Sequence, residues 1–589
     1  MKKYFSKLKS HNVNRLDEVR IRLARPDALL QLSLLGLLSG LLAGFVIIVF
    51  RLLVEETQDW LLPGSGSESY ELLSNIEAFV YPVLGAIAIA IMFRWIGRDM
   101  PVLGVARVME RMNYHQGHMT LRGFVLQFFG AAFAIIGGHS VGREGPHIFL
   151  GAAAGSLMGQ YLSLPNNAIR TFVACGTAAG IAASFNTPLA GVIFALEVVM
   201  MEYTVASFIP VILAAVSATA LSNMVFGNEP AFSIPVMEMG SHMELGIVVI
   251  LGIIAGAISA GFVHLLQEIA SKSRDVAIWW RVMIAGISMG AIGIAMPQVM
   301  GIGYDTVELA LNAQIGLWLL VSLVLVKVIA TAIVVGLGVP GGMIGPTLFI
   351  GAMLGAAIGN LAMLLPFEVE THIGFFALLG MGAMMSASLQ APLAALVAML
   401  ELTDNPAIIL PGMLAVVVAG VTSSELFRKE SLFVSMMKAA GKDYNTNPVL
   451  QTLRRSGVAG IMDRNFVHVS HQISRKLAEQ ILQEKTAFIL IDSEGETTTL
   501  MPAVELAKHL EASHEASNEE SDDSIDLMKI PAERWQVSAI DLQANCQQAY
   551  EKLEPGNFEA LFVERRVKYG GRRIYGVLSK DMIEKAYRY

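Results

Sequence analysis

The sequence predicts an all-α polytopic membrane protein, built from short, broken helices in two inverted halves and followed by a cytoplasmic α/β domain. Three observations carry that prediction: an apolar composition, a lopsided charge distribution and a long-period repeat. The chain is 54% hydrophobic and 16% charged, with a mean hydropathy of +0.56. Soluble globular proteins carry about 25% charged residues, so an ordinary soluble enzyme and a disordered chain are both excluded. The net charge of −8 hides the distribution, because 40 of the 92 charged side chains fall in the last 140 residues. Two cysteines, Cys175 and Cys546, make no disulfide framework, as expected for a cytoplasmic tail.

Residues 1–28 form a basic segment with Lys2, Lys3, Lys7, Lys9, Arg15, Arg20, Arg22 and Arg25. The positive-inside rule keeps this segment, and with it the N-terminus, in the cytoplasm. The apolar run from Leu29 to Val54 then exceeds the about 20 residues needed to cross a bilayer. Its length and the absence of a small-residue cleavage site argue against a removed signal peptide. Further apolar stretches cover 78–96, 123–137, 148–163, 171–200, 205–226, 245–266, 278–298, 315–337, 347–365, 374–401 and 407–424. Many are interrupted by Gly, Pro or a lone polar residue. Such breaks belong where helix ends meet inside protein rather than at lipid.

The repeat supplies the architecture. Residues 185–197 read FNTPLAGVIFALE and residues 389–401 read LQAPLAALVAMLE, each with a Glu nine residues after its Pro. Upstream, GREGPHIFLGAAAG at 142–155 matches GGMIGPTLFIGAMLG at 341–355. Two matched pairs in the same order, about 200 residues apart, point to one ancestral half that was duplicated, placing the halves at about 29–230 and 240–440. An odd number of crossings per half would invert one half against the other. In each Gly-rich turn a Pro stands where a helix begins, and a helix N-terminus offers unpaired N–H groups with about half a positive charge. Gly-Pro turns also serve merely to break helices, but a duplicated set facing inward makes an anion site without a fully charged side chain.

Gly142-Arg143-Glu144-Gly145-Pro146 puts a carboxylate at such a helix start. A capping Glu is common there, yet an ionisable group inside an apolar run is expensive and usually functional. A carboxylate is itself an anion, so Glu144 can take the place of a permeant anion and release it by protonation or by swinging out. Glu144 is therefore expected to be gate and pH sensor together.

GREGP, FNTPLAGVIFALE, SLQAPLAALVAMLELTDN and GVPGGMIGP resemble, in order, the motifs of the CLC family of voltage-gated chloride channels and chloride/proton exchangers. The resemblance covers about residues 30–440. It implies a homodimer with one anion pathway, for chloride, in each subunit, built from inverted halves, and Glu144 as the external gating glutamate; the chain is expected in a bacterial-type inner (plasma) membrane. It also implies anion contacts at Gly97, Arg98, Gly142, Arg143, Gly145, Gly342, Met343, Ile344, Gly345 and Phe433. Three of these depart from the family pattern. Arg98 stands where a serine hydroxyl usually faces the anion, and either adds a cation to the pathway or pairs with Asp99 and turns away. Ile344 replaces an aromatic side chain, and Phe433 replaces a Tyr, keeping the ring without its hydroxyl.

Family exchangers commonly carry an inward-facing acid after the Glu matched by Glu197, and here that position is Val198. Valine carries no proton, so the sequence leans toward a passive chloride channel. The alternative is a proton-coupled chloride antiporter with Glu202 as a substitute acid. Glu197 and Glu401 are expected to stabilise helix contacts at the inner side, and His139 and His147 to be packed or solvated. Gly138-His139-Ser140-Val141-Gly142 also matches a Gly-x-Ser-x-Gly nucleophile elbow. A membrane esterase would need a strand before the Ser and a partner His and Asp. The lead-in FFGAAFAIIG instead sits among apolar spans, so the chain is read as no enzyme, and no metal motif is present.

Beyond residue 440 the texture turns to alternating apolar and polar residues. A linker and a first strand–helix–strand unit cover 441–510. An acidic, Ser-rich linker follows at 511–525, and a second unit at 526–589. This resembles a tandem CBS pair, a module that often binds adenine nucleotides. The usual ending appears as GVLSKD, which points to Ser579 and Asp581 but spaces them one residue too close. Arg565, Arg566, Arg572 and Arg573 are expected on a solvated hairpin, with no nucleic-acid partner and no required cofactor.

Overall fold

The computed structural model describes residues 17–25, 28–64, 68–96, 104–228, 232, 239–241, 244–364, 371–403, 405–443, 448–493, 496–515, 524–554, 558–567 and 571–588. They form two compact units. One holds residues 32–161 and 169–445; the other joins the first 31 residues and 162–168 to the tail from residue 446.

The helices run α1 (17–23), α2 (Leu29–Leu61), α3 (Asn75–Trp95), α4 (Val105–Tyr114), α5 (Leu121–Ile136), α6 (Glu144–Tyr161), α7 (Asn166–Phe185), α8 (Pro188–Phe194) and α9 (Val205–Phe226). The second half follows as α10 (Leu245–Lys272), α11 (Ile278–Ala295), α12 (Tyr304–Leu311), α13 (Leu317–Gly336), α14 (Ile344–Ala362), α15 (Ile373–Leu389), α16 (Pro392–Thr403), α17 (Ile409–Val421) and α18 (Leu432–Ala439). Among the described residues, nine helices are long and apolar enough to cross a membrane. Others, such as α5 and α16, are apolar but shorter. Local chemistry sets several starts. Ser74 and Glu77 cap α3 reciprocally, and the Thr120 and Thr204 side chains accept backbone N–H bonds at the starts of α5 and α9.

The two halves meet antiparallel. Gly142 N–H donates to the Gly342 carbonyl at 2.8 Å, and Gly342 N–H donates back to Gly142 at 2.7 Å. Side chains repeat the exchange. Glu401, at the end of α16, accepts from the N–H groups of Leu189 and Ala190 at 2.9 and 2.7 Å. Glu197, in the π turn (Ala195–Met200) that ends α8, accepts from Leu393 and Ala394 at 3.2 and 2.7 Å. Each glutamate caps the first turn of the other half's helix, where the dipole favours a negative charge. The expectation that both lie at the inner side is therefore corrected. Because α8 and α16 run antiparallel, the two caps sit at opposite ends of the pair. Glu197→Gln and Glu401→Gln should each lower stability by about 1 kcal/mol, read as a drop in the temperature at which detergent-purified protein loses its monodisperse peak.

Glycines bring helices within each half to backbone contact. A Cβ on Gly176 would stand 1.9 Å from the Gly151 carbonyl oxygen, joining α6 to α7. Gly380 meets Gly351 at 2.1 Å by the same measure, joining α14 to α15. Small residues at a crossing are how membrane helices come this close.

The tail unit opens with α19 (Pro448–Arg455) and α20 (Val458–Ile461). Then come β1 (Phe466–Ser470), β2 (Gln472–Ser474), α21 (Arg475–Gln483), β3 (Phe488–Ser493), β4 (Glu496–Pro502), α22 (Ala503–Glu515) and β5 (Ser524–Asp526). It closes with β6 (Trp535–Asp541), α23 (Cys546–Leu553), β7 (Ala560–Val567), β8 (Gly571–Ser579) and α24 (Lys580–Arg588). One six-stranded sheet has the order β1-β3-β4-β6-β7-β8, and β2 pairs with β5. β1 and β3 are parallel across α21, as β6 and β7 are across α23, and each parallel pair is extended by an antiparallel strand. The tail thus contains the same β-α-β-β-α unit twice, joined edge to edge by β4 and β6. The linker expected at 511–525 begins later, since α22 continues through Glu515 on the apolar face of Leu506 and Leu510. Its residues 516–523 lie outside the described residues.

Helix α1 belongs to this unit. Asp17, 3% exposed, accepts from Arg20 at 2.9 Å, from the Tyr575 hydroxyl at 2.8 Å and from Arg565. The expected solvated hairpin is β7–β8, but Arg565 is paired rather than free. Asp17→Asn removes the charge from three donors and should cost the tail unit about 2 kcal/mol. The check is earlier loss of tail amide protection in hydrogen exchange.

Candidate anion gate at facing helix ends

Glu144 occupies the first turn of α6 and is fully buried. One carboxylate oxygen accepts the backbone N–H of Gly345, in the first turn of α14, at 3.0 Å. The other accepts the hydroxyl of Tyr304, at the start of α12. The carboxylate of the first half thus lies against the helix N-terminus of the second, the place a bound anion would take.

Nearby is a cavity of about 30 Å³, enough for one or two water-sized occupants. Gly104, Gly145, Gly342, Met343, Phe433 and Met436 are among its lining residues. Gly104 stands just before α4, so backbone from the starts of α4, α6 and α14 converges here. Phe433 is buried and meets the edge of Phe194 at 6.4 Å between centroids. Ile344 opens α14 and is buried.

Three candidate contacts are placed differently from the sequence expectation. The N–H groups of Gly142 and Gly342 are consumed by the bridge between the halves, so neither is free for an anion. Arg143 turns to Glu55 on α2 at 3.0 Å, and its guanidinium carbon lies over the Tyr304 ring, 5.5 Å from the centroid. Gly97, Arg98 and Asp99 lie outside the described residues.

Val198 is buried in the π turn after α8, and no proton carrier stands at that position. Glu202, four residues on, is 5% exposed, and its backbone N–H reaches the Leu196 carbonyl at 3.1 Å. His147 is buried, with Nδ1 2.8 Å from the Ser184 hydroxyl. His139 is buried, with Nδ1 3.2 Å from the Ala134 carbonyl. Ser140 pairs with the Thr331 hydroxyl at 3.0 Å and follows helix α5 rather than a strand, so the nucleophile-elbow geometry is not formed. In the tail, Ser579 ends β8 and Asp581 stands exposed in the first turn of α24.

Two residues that sequence reasoning passed over complete the surroundings. Tyr304 bonds the Glu144 carboxylate directly. Lys327, in the middle of α13, is fully buried, and its ammonium donates to the carbonyls of Val299, Gly301 and Ile302 at 3.1, 3.1 and 3.2 Å. Lys327 interrupts the apolar run 315–337, and an ionisable residue in such a run is itself a signal of function. Tyr304 gives no comparable local signal.

Two inverted halves whose broken helix ends meet around a charged group are a common build of membrane transport proteins. The family profile described as "Voltage gated chloride channel" matches residues 84–424. A relative from Ralstonia nicotianae, "Putative chloride channel protein ClcB-like", is 31% identical over 407 residues, covering 67% of this chain and 93% of its own. The "H(+)/Cl(-) exchange transporter ClcA" of Vibrio cholerae is 29% identical over 405 residues, covering 66% and 84%. Among solved structures, a slow cyanobacterial Cl−/H+ antiporter aligns with a TM-score of 0.62 at 22% identity, over 69% of this chain and 97% of that one. A eukaryotic CLC transporter aligns with a TM-score of 0.60 at 18% identity, over 94% of this chain and 98% of that one. The chain belongs to the CLC family of voltage gated chloride channels and is a membrane anion-transport protein.

Proposed function

We propose that the protein is a proton-coupled chloride antiporter in which Glu144 is both the gate and the proton carrier. The observation that carries this reading is the Glu144 carboxylate seated on the Gly345 N–H, beside a cavity lined by the starts of three helices. In that seat it excludes an anion; protonated, it loses its claim on the N–H group, and chloride takes its place. Movement of one species then requires movement of the other.

The preference for coupling over the passive channel rests on relatives. The Vibrio cholerae protein is named an exchange transporter, and the cyanobacterial structure an antiporter. Val198 removes the usual inner acid, and buried Glu202 is the substitute on the inner route. We further propose a homodimer with both termini in the cytoplasm. The short helices α8 and α16 support the dimer, since they expose Leu189 and Leu393 at their starts. The tail's two β-α-β-β-α units support a CBS-like pair, with Ser579 and Asp581 as the adenine-nucleotide position.

The deciding experiment uses purified protein in liposomes with an imposed chloride gradient, voltage clamped by an ionophore, and internal pH followed. Proton movement against its own gradient supports antiport. Chloride flux without linked proton movement establishes the passive channel instead.

A further inference from the structure

We infer that Tyr304 is an outer latch on the gate: its hydroxyl holds the Glu144 carboxylate down on the Gly345 N–H, and the carboxylate leaves only when that bond breaks. The inference rests on the reading of Glu144 as the gate.

Sidedness follows from the chain. With the basic N-terminal segment inside, α2 ends outside, so Glu68 and Glu71, which follow it, are external. The backbone N–H of Tyr304 donates to Glu68 at 2.8 Å, and the Thr306 hydroxyl donates to Glu71 at 3.1 Å. Tyr304 therefore comes to Glu144 from the external side, opposite the inner route proposed through Glu202.

The ring cannot easily turn aside. It packs against Phe232 at 5.2 Å and Phe185 at 6.2 Å between centroids, with the Arg143 guanidinium over its face. Gly303 before it has φ +83, and a Cβ there would meet the Phe349 ring at 2.9 Å, so the approach to Tyr304 is shaped for glycine. Lys327 grips the carbonyls of Gly301 and Ile302 just upstream. The phenol is thus held at a fixed point, and a fixed donor on a carboxylate makes a strong, charge-assisted bond.

The charged and titratable groups around this pair come from every neighbouring element. Arg51 and Glu55 stand on α2, Glu68 and Glu71 follow it, and Arg143 and His147 flank the gate. Asp305 stands on α12 and Lys327 on α13. Arg143 is balanced by Glu55 at 3.0 Å, and Arg51 reaches the same carboxylate at 3.1 Å. Of these named groups, only the Tyr304 hydroxyl has a hydrogen bond described to the Glu144 side chain, so the latch is separable from the field around it.

The test is Tyr304→Phe in liposomes, with chloride flux followed against external pH. Loss of the latch should move the half-activating pH up by about one unit and raise flux at neutral pH several-fold. In the Glu144→Gln background, where no carboxylate is left to titrate, the same substitution should leave the pH profile flat. An unshifted profile for Tyr304→Phe, or an equal effect in the Glu144→Gln background, overturns the latch. Persistent pH dependence in Glu144→Gln alone overturns the gate reading instead. Difluorotyrosine placed at 304 gives a second measurement: a more acidic phenol is a stronger donor and should shift the half-activating pH downward. A shift upward, or none, again refutes the latch.

Discussion

Glu144→Gln should leave chloride flux running and strip it of its pH dependence and of any linked proton movement. The amide matches the carboxylic acid in size and has no charge, so it stands in for the protonated gate at every pH. In the proposed mechanism the carboxylate competes with chloride for one resource, the Gly345 N–H at the start of α14. A neutral side chain makes a far poorer claim on a helix N-terminus than a charged one, and chloride then holds the site. The bond from Tyr304 remains possible to the amide oxygen, so local packing is kept and the change is one of charge. The measurement is paired chloride and proton flux in liposomes over a range of external pH. A flat chloride profile with no proton movement is expected. A profile that still bends with pH would move the sensor elsewhere, and the buried His147, one turn along α6, would be the next residue to replace.

How far this site was legible in the sequence depends on which forces write it. The duplicated Pro-Leu-Ala and Gly-Pro segments were readable because a repeat keeps its residue types in order, and the structure joins their helices in matching ways. Glu144 stood out because a charge in an apolar turn is costly enough to need a reason. The alternation in the tail was strong enough to separate β1, α21 and β3, but not to show that α22 runs on to Glu515.

What stayed illegible depends on register between distant segments. Nothing local to GREGP says that Gly142 spends its N–H on a carbonyl 200 residues away. Arg143 was expected as an anion contact from the family resemblance. Its actual partner is Glu55, a residue in the continuation of α2 beyond the strictly apolar run. The opposite placement of the Glu197 and Glu401 caps was available in principle. Inverted halves must put equivalent helix ends on opposite faces, so a cap shared reciprocally cannot lie on one side. Tyr304 could not be found this way, since its role comes from a short helix packed against residues of both halves.

Lys327→Met should cost the membrane unit about 3 kcal/mol or more and is expected to be the most damaging single change near the gate. Methionine matches the length and apolar stem of the lysine but offers no donor, so the carbonyls of Val299, Gly301 and Ile302 lose the ammonium at once. A buried acceptor left unpaired costs about 1–3 kcal/mol, against a total stability of about 5–15 kcal/mol for a typical domain. Removing a buried charge can be neutral when its whole environment becomes apolar. Here three backbone carbonyls cannot be removed with it, and their loss decides the sign. The cation also sits 4.5 Å from the centroid of Phe349, a further contact the thioether only partly replaces. The check is the temperature at which detergent-purified protein loses half its monodisperse peak, compared with wild type and with Lys327→Arg, which keeps the charge and should lose less. An unchanged midpoint for Lys327→Met would show that the loop 299–302 holds its shape without the ammonium. In the folded fraction a functional change should accompany the loss, because Tyr304 begins α12 two residues after Ile302. A loosened loop weakens the hydroxyl's hold on Glu144, so the half-activating pH should move upward, in the direction expected for Tyr304→Phe.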